Sequence, residues 1–239
     1  MTRAGLAMFL AGGMAFPQGV ERTSSAVISG PIVVLDLEAE IAGLTLEAMT
    51  REIDSIFAPS GVWLTWRTLQ QARRETYEGE VVILKLADSA LLQSLAESPG
   101  GRPLGYAYTS GDSVLAFCTV LTDRVRTSIA RHLREEDALR SSLFLGRALG
   151  RVASHELFHV LAGTACHGSE GITRPILSSE ELILGQLALS KQDQRTLQGR
   201  LAARAPVKSS ALRFGEDSPA RLAAVALLGG KPVPLSLLE

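Results

Sequence analysis

The chain carries almost no net charge: 24 Lys and Arg against 25 Asp and Glu leave a formal charge of -1 over 239 residues. Without a Lys/Arg block anywhere, there is no electrostatic argument for nucleic acid or for an anionic membrane surface. No internal repeat or low-complexity tract is present, and 46% hydrophobic with 21% charged residues excludes compositional disorder. Cysteine is scarce as well. Cys118 and Cys166 allow one disulfide in an exported protein or two buried thiols, and spacing does not choose between them. No apolar run is long enough for an integral membrane span.

The first 25 residues have the composition of a leader. One Arg precedes an apolar run from Ala4 to Phe16, and the chain then turns polar. Gly13-Met14-Ala15 gives a small-x-small pattern before a cleavage point, although no A-x-A is present. The expectation is a signal peptide over 1–25 and a secreted or periplasmic protein; initiation at Met8 or Met14 is the competing reading. A single domain is expected over 26–204, and 205–239, rich in Pro, Gly and Ser, is expected to be a loosely docked tail.

What the chain does have is "HELFHVLAGTACH", residues 155–167, with three of its four histidines. An H-E-x-x-H string arises by chance on the order of once in two hundred chains of this composition. On a helix, His155 and His159 lie about 40° apart on one face and roughly 6 Å apart along the axis, so both imidazoles can reach one ion. Glu156 between them has the position of a general base. A third ligand must come from beyond the helix, because on a continuing helix His167 would sit about 18 Å past His155. Gly163 is placed to end the helix in the left-handed conformation, which gives His167 the chain length to fold back. Glu180 and Glu181 are the rival third ligands, and Glu170 a further one. Two ligands from a helix and one from the chain after it leave one zinc position open, as in catalytic sites.

Hydrophobic spacing supplies the setting. "PIVVLDLEAE", "VWLTWRTL", "EVVILKLA", "LGYAYTS" and "SVLAFCTVL" read as strands, the last two joined by a Gly111-Asp112 hairpin turn. "LTLEAMTREIDSIFAPSG" reads as a helix capped by Thr45 and ended by Pro59 and Gly61. A helical stretch from about Asp123 to Leu133 and a charged connector precede the long helix, expected from about Ser142 to Ala162. "SSEELILGQLALSKQDQRTLQGRLAAR" reads as one further helix capped by Ser178 or Ser179.

With strand and helix order and the histidine motif together, the segment from Ile32 to Leu177 resembles the metzincin clan of zinc metallopeptidases, whose signature is H-E-x-x-H-x-x-G-x-x-H. Glycine and third histidine each come one residue later here, at Gly163 and His167, and no methionine follows His159 to make the clan's Met-turn. The resemblance implies an α+β zincin core: a mixed, mostly parallel twisted sheet with an antiparallel edge strand, a backing helix and an active-site helix carrying the motif. "LGYAYTS" stands where the clan has its substrate-lining edge strand.

The implied activity is hydrolysis of a peptide or protein substrate by a metalloendopeptidase. Zn²⁺ would be held by His155, His159 and His167, with Glu156 as catalytic base. No tyrosine follows the motif to steady an oxyanion, and only Arg174 is placed for that by position. Two other readings stay open: a secreted zinc-binding or partner-binding domain without activity, its site closed by Cys166 or a glutamate, and a gluzincin-type peptidase using Glu180 or Glu181. Nothing in the sequence fixes an oligomeric state.

Overall fold

A computed structural model describes residues 30–75, 77, 79–92, 103–134, 136–203 and 231–237. The expected leader lies outside them. In chain order the elements are β1 (Ile32–Leu37), α1 (Gly43–Phe57), β2 (Thr65–Thr68), α2 (Leu69–Ala72), β3 (Val81–Ala87), β4 (Pro103–Ser110) and β5 (Ser113–Leu121). They continue with α3 (Thr122–Ser128), α4 (Ala130–Leu133), α5 (Ala138–Ala162), β6 (Ile176–Leu177), α6 (Lys191–Ala203) and β7 (Lys231–Leu237).

The strands form one mixed sheet in the order β2-β1-β3-β5-β4-β7-β6. β2, β1, β3 and β5 run parallel to one another, and β4 returns antiparallel to β5 through the expected Gly111-Asp112 turn. β1 reads as an unbroken apolar run because both its faces are covered. Val33 and Leu35 join the main core, while Ile32 and Val34 pack with Ala72 and Tyr77 on the opposite side. Beyond β4 lie β7, antiparallel to it, and the two residues of β6. Of the segment 205–239, Lys231–Leu237 are therefore in the sheet, and the remainder is outside the described residues. Among the described residues, no helix is long and apolar enough to cross a membrane.

α1 and α5 cover the core face of the sheet. α1 starts at Gly43 behind an extended Ala42, so Thr45 is not its cap; Thr45 is buried in the first turn, where its carbonyl faces α5. The close approach requires glycine on α5. A Cβ at Gly146 would lie 2.5 Å from the Thr45 carbonyl oxygen, and one at Gly150 2.8 Å from that of Met49. α5 begins at Ala138, about four residues earlier than expected, because the Asp137 carboxylate accepts from the Arg140 amide at 2.8 Å and caps it inside the charged connector. The helical stretch before it is broken at Ile129 into α3 and α4.

The segment after the motif departs most from expectation. Ser178 does cap, exchanging bonds with Glu181 in both directions at 2.9 and 3.2 Å, but only one helical turn follows. The chain leaves at Gly185, whose φ is 63°, and no regular helix forms until Lys191. The reason is Arg151 of α5, whose buried guanidinium donates to the carbonyls of Glu181, Leu184 and Gly185 at 2.5 to 2.7 Å. Those carbonyls are held by a side chain in place of a continuing helical ladder, and Glu52 of α1 balances the charge at 2.7 Å. Arg151→Met should leave Glu52 and three carbonyls without this partner and lower stability by about 3 kcal/mol or more. A urea titration showing a change under about 1 kcal/mol would contradict that role.

Candidate metal centre

α5 brings His155 and His159 together from one face, as the i, i+4 spacing predicts, with ring centroids 4.7 Å apart. The helix ends at Gly163 in the left-handed region, φ 63° and ψ 36°. There the Thr164 amide donates back to the His159 carbonyl at 3.1 Å, and the chain reverses. His167 arrives beside the other two, its ring 5.1 Å from that of His155 and 4.9 Å from that of His159. One ligand nitrogen from each of the three lies within 4.8 Å of the others.

The backbone that makes the reversal also orients the rings. His159 Nδ1 lies 2.8 Å from the Thr164 carbonyl, and His155 Nδ1 lies 2.8 Å from that of Ile172. A carbonyl only accepts, so each Nδ1 carries the hydrogen and each Nε2 is left with its lone pair. Those two Nε2 atoms stand 3.0 Å apart. Burial holds both imidazoles neutral: His155 is pushed well below the ordinary 6.5, and His159 falls to about 4, with the Thr164 carbonyl opposing the shift. Burial also lowers His167, whose Nε2 is buried without a hydrogen-bond partner among the described residues. Unprotonated lone pairs converging at this distance repel one another unless a cation lies between them. Three imidazole nitrogens with carbonyls behind two of them suit a borderline-soft ion such as zinc.

Protonation should open this site. An unfolded imidazole takes its proton near pH 6.5 and His159 in the fold only near 4, so unfolding binds protons in that interval. Stability of the metal-free chain is therefore full above about pH 6.5 and lost as pH falls. His159 alone should account for a loss of about 3 kcal/mol by pH 4. Urea midpoints of chelator-treated protein at pH 7.5 and 4 measure it, and His159→Ala should flatten the dependence; an equally steep loss in that variant would contradict it.

Glu156 is fully buried and faces the sheet. A Cβ on Gly105 of β4 would come within 2.9 Å of its Oε1 and 3.0 Å of its Cγ, so only glycine leaves room for the carboxylate there. Its charge adds to burial, the main cause, in raising the Tyr108 hydroxyl to about 12 and the Cys118 thiol well above 9.

The rival ligands are engaged elsewhere. Glu180 is exposed and lies 3.7 Å from Arg131. Glu181 accepts from the Ser178 amide and pairs with Arg174, which also donates to the Gly171 carbonyl at 3.3 Å. Arg174 is thus committed to structure. Glu170 is exposed outside the cluster, and His132 accepts from Arg131. Cys118 is a buried free thiol and Cys166 an exposed one; the disulfide left open by the sequence is not formed.

Asp193 of α6 was not singled out in the sequence. It accepts from Thr173 Oγ1 at 2.8 Å, while Ser190 and Asp193 exchange bonds at the start of α6. The Thr173 carbonyl in turn accepts from the Gly168 amide at 3.0 Å, beside His167. The S-x-x-D spacing of Ser190 and Asp193 is a helix-start signal that was available, hidden within a longer helical pattern.

No family model matches this chain, and no curated protein matches it. Among solved structures it is similar to the crystal structure of archaemetzincin from Methanopyrus kandleri, with a TM-score of 0.44 and 13% identity, covering 73% of this chain and 97% of that one. A likeness this distant decides nothing about the site, whose reading rests on the distances above.

Proposed function

We propose that this chain is a zinc-dependent metallopeptidase, with His155, His159 and His167 holding the ion and Glu156 as general base. One observation carries the reading: the Nε2 atoms of His155 and His159 converge at 3.0 Å while both Nδ1 atoms are committed to carbonyls. The Ile172 and Thr164 carbonyls fix the tautomer that a metal ligand needs. Zinc bound there supplies Lewis acidity, which brings the pKa of water toward ~7 and polarises a peptide carbonyl. Glu156, directly after the first ligand, accepts the proton of the attacking water at its carboxylate and returns it to the leaving amine. Its seat against Gly105 fixes the side chain in a buried position beside the first ligand.

The alternative is a zinc-binding domain without activity, which would close the site with a fourth protein ligand. Among the described residues no Cys, Asp or Glu joins the three histidines, which favours the open site of an enzyme. Metal analysis of the purified chain together with digestion of a peptide library tests the choice. One zinc per chain with cleavage supports the peptidase; one zinc with every peptide intact supports the alternative.

A further inference from the structure

β7 runs antiparallel to β4, with Lys231, Val233 and Leu235 opposite Thr109, Ala107 and Gly105. Its far end pairs in parallel with β6, Ser236 opposite Ile176 and Leu237 opposite Leu177. β7 therefore lies between two elements tied to the metal centre from different sides. Gly105 of β4 is the residue against which the Glu156 carboxylate rests. β6 directly follows the turn whose Ile172 carbonyl orients His155. Paired strands are ~4.8 Å apart, so the backbone opposite Gly105 passes about one strand spacing from the backbone that borders the general base.

The sequence of β7 suits an added strand that goes no further. Pro232 and Pro234 have no N–H, so between 231 and 235 the backbone donors are those of Lys231, Val233 and Leu235. Alternate residues point their amides to one side of a strand, and these three are the ones opposite Thr109, Ala107 and Gly105. The proline positions leave the other side without donors along that length, and β6 pairs only beyond them, at Ser236 and Leu237.

We propose that the gap between β4 and β6 is the seat of an extended peptide laid antiparallel to β4, and that residues 231–237 fill it as a tethered stand-in which a substrate must displace. That the displaced ligand is a substrate rests on the peptidase reading; that the seat accepts a peptide strand does not. Main-chain bonding to a strand edge tolerates many side chains, so a peptide competes with β7 by backbone, against an effective concentration on the order of millimolar for a tethered segment. The full chain then turns peptides over slowly until the strand leaves.

Val233→Pro in the full chain tests this, since it removes the donor opposite Ala107 without touching the metal centre. The probe is a labelled synthetic peptide of residues 231–237, followed by fluorescence anisotropy. The unaltered chain should bind it at least about tenfold more weakly than the variant, and cleavage of a quenched peptide should rise by about tenfold or more in the variant at equal zinc content. A second form keeps the test open if the variant folds poorly: a specific-protease sequence placed within 205–230 and cut after folding should also increase peptide binding. Equal binding by unaltered, variant and cut protein overturns the proposal, as does measurable cleavage that is the same in all three. Stronger peptide binding without cleavage by any form upholds the seat and removes the peptidase reading instead.

Discussion

Glu156→Gln is expected to keep one zinc per chain and an unchanged fold while activity falls by about 10² or more. The substitution preserves the shape that fits against Gly105, where any added atom would already be within 3.0 Å of the side chain, so no rearrangement of β4 is required. The three imidazoles and the carbonyls behind His155 and His159 are untouched. What is lost is the capacity to accept a proton, because a carboxamide is not basic near neutral pH. Zinc content and a thermal unfolding curve establish that the variant is intact; the rate on a peptide substrate then isolates the base. Activity retained in an intact variant removes Glu156 from the mechanism. The same variant also separates the two proposals, since its affinity for the peptide of residues 231–237 should not change.

His167→Ala is expected to cost most of the zinc affinity, while Glu180→Ala and Glu181→Ala leave the metal near one per chain. The His167 ring is about 5 Å from those of both helix histidines, and without its nitrogen the two remaining donors cannot complete a three-ligand site. Glu181→Ala instead removes the partner of Arg174 and of the Ser178 amide, a loss of up to about 1 kcal/mol at this partly exposed position. Zinc stoichiometry after dialysis against a weak chelator distinguishes the three. Zinc lost from a glutamate variant and kept in His167→Ala would transfer the third ligand to that glutamate.

The departures from the sequence reading have local physical causes. Thr45 has the side chain of a cap, but the helix already begins at Gly43, two residues before it, and the Thr45 carbonyl is used against Gly146 of α5. Ser178 has the right partner three residues on, yet its helix stops because Arg151, far earlier in the chain on α5, takes the carbonyls that would extend it. Propensity and capping are read within a few residues of chain, and a buried guanidinium on another element overrides both.

By itself the sequence determined what depends on nearby residues: the strands as apolar runs, the hairpin at Gly111-Asp112, and the spacing that puts His155 and His159 on one face of a helix ended by Gly163. Periodicity and left-handed glycine geometry are properties of the local backbone, so one chain suffices to read them. Tertiary structure alone decided that His167 completes the cluster in space, that the Ile172 carbonyl sets the tautomer of His155, that Glu156 is seated on Gly105, and that residues 231–237 lie beside β4. Each of these joins segments across loops or strands, where the closing contact is chosen by what the whole core leaves exposed; a carbonyl carries no sequence mark of which imidazole it will meet.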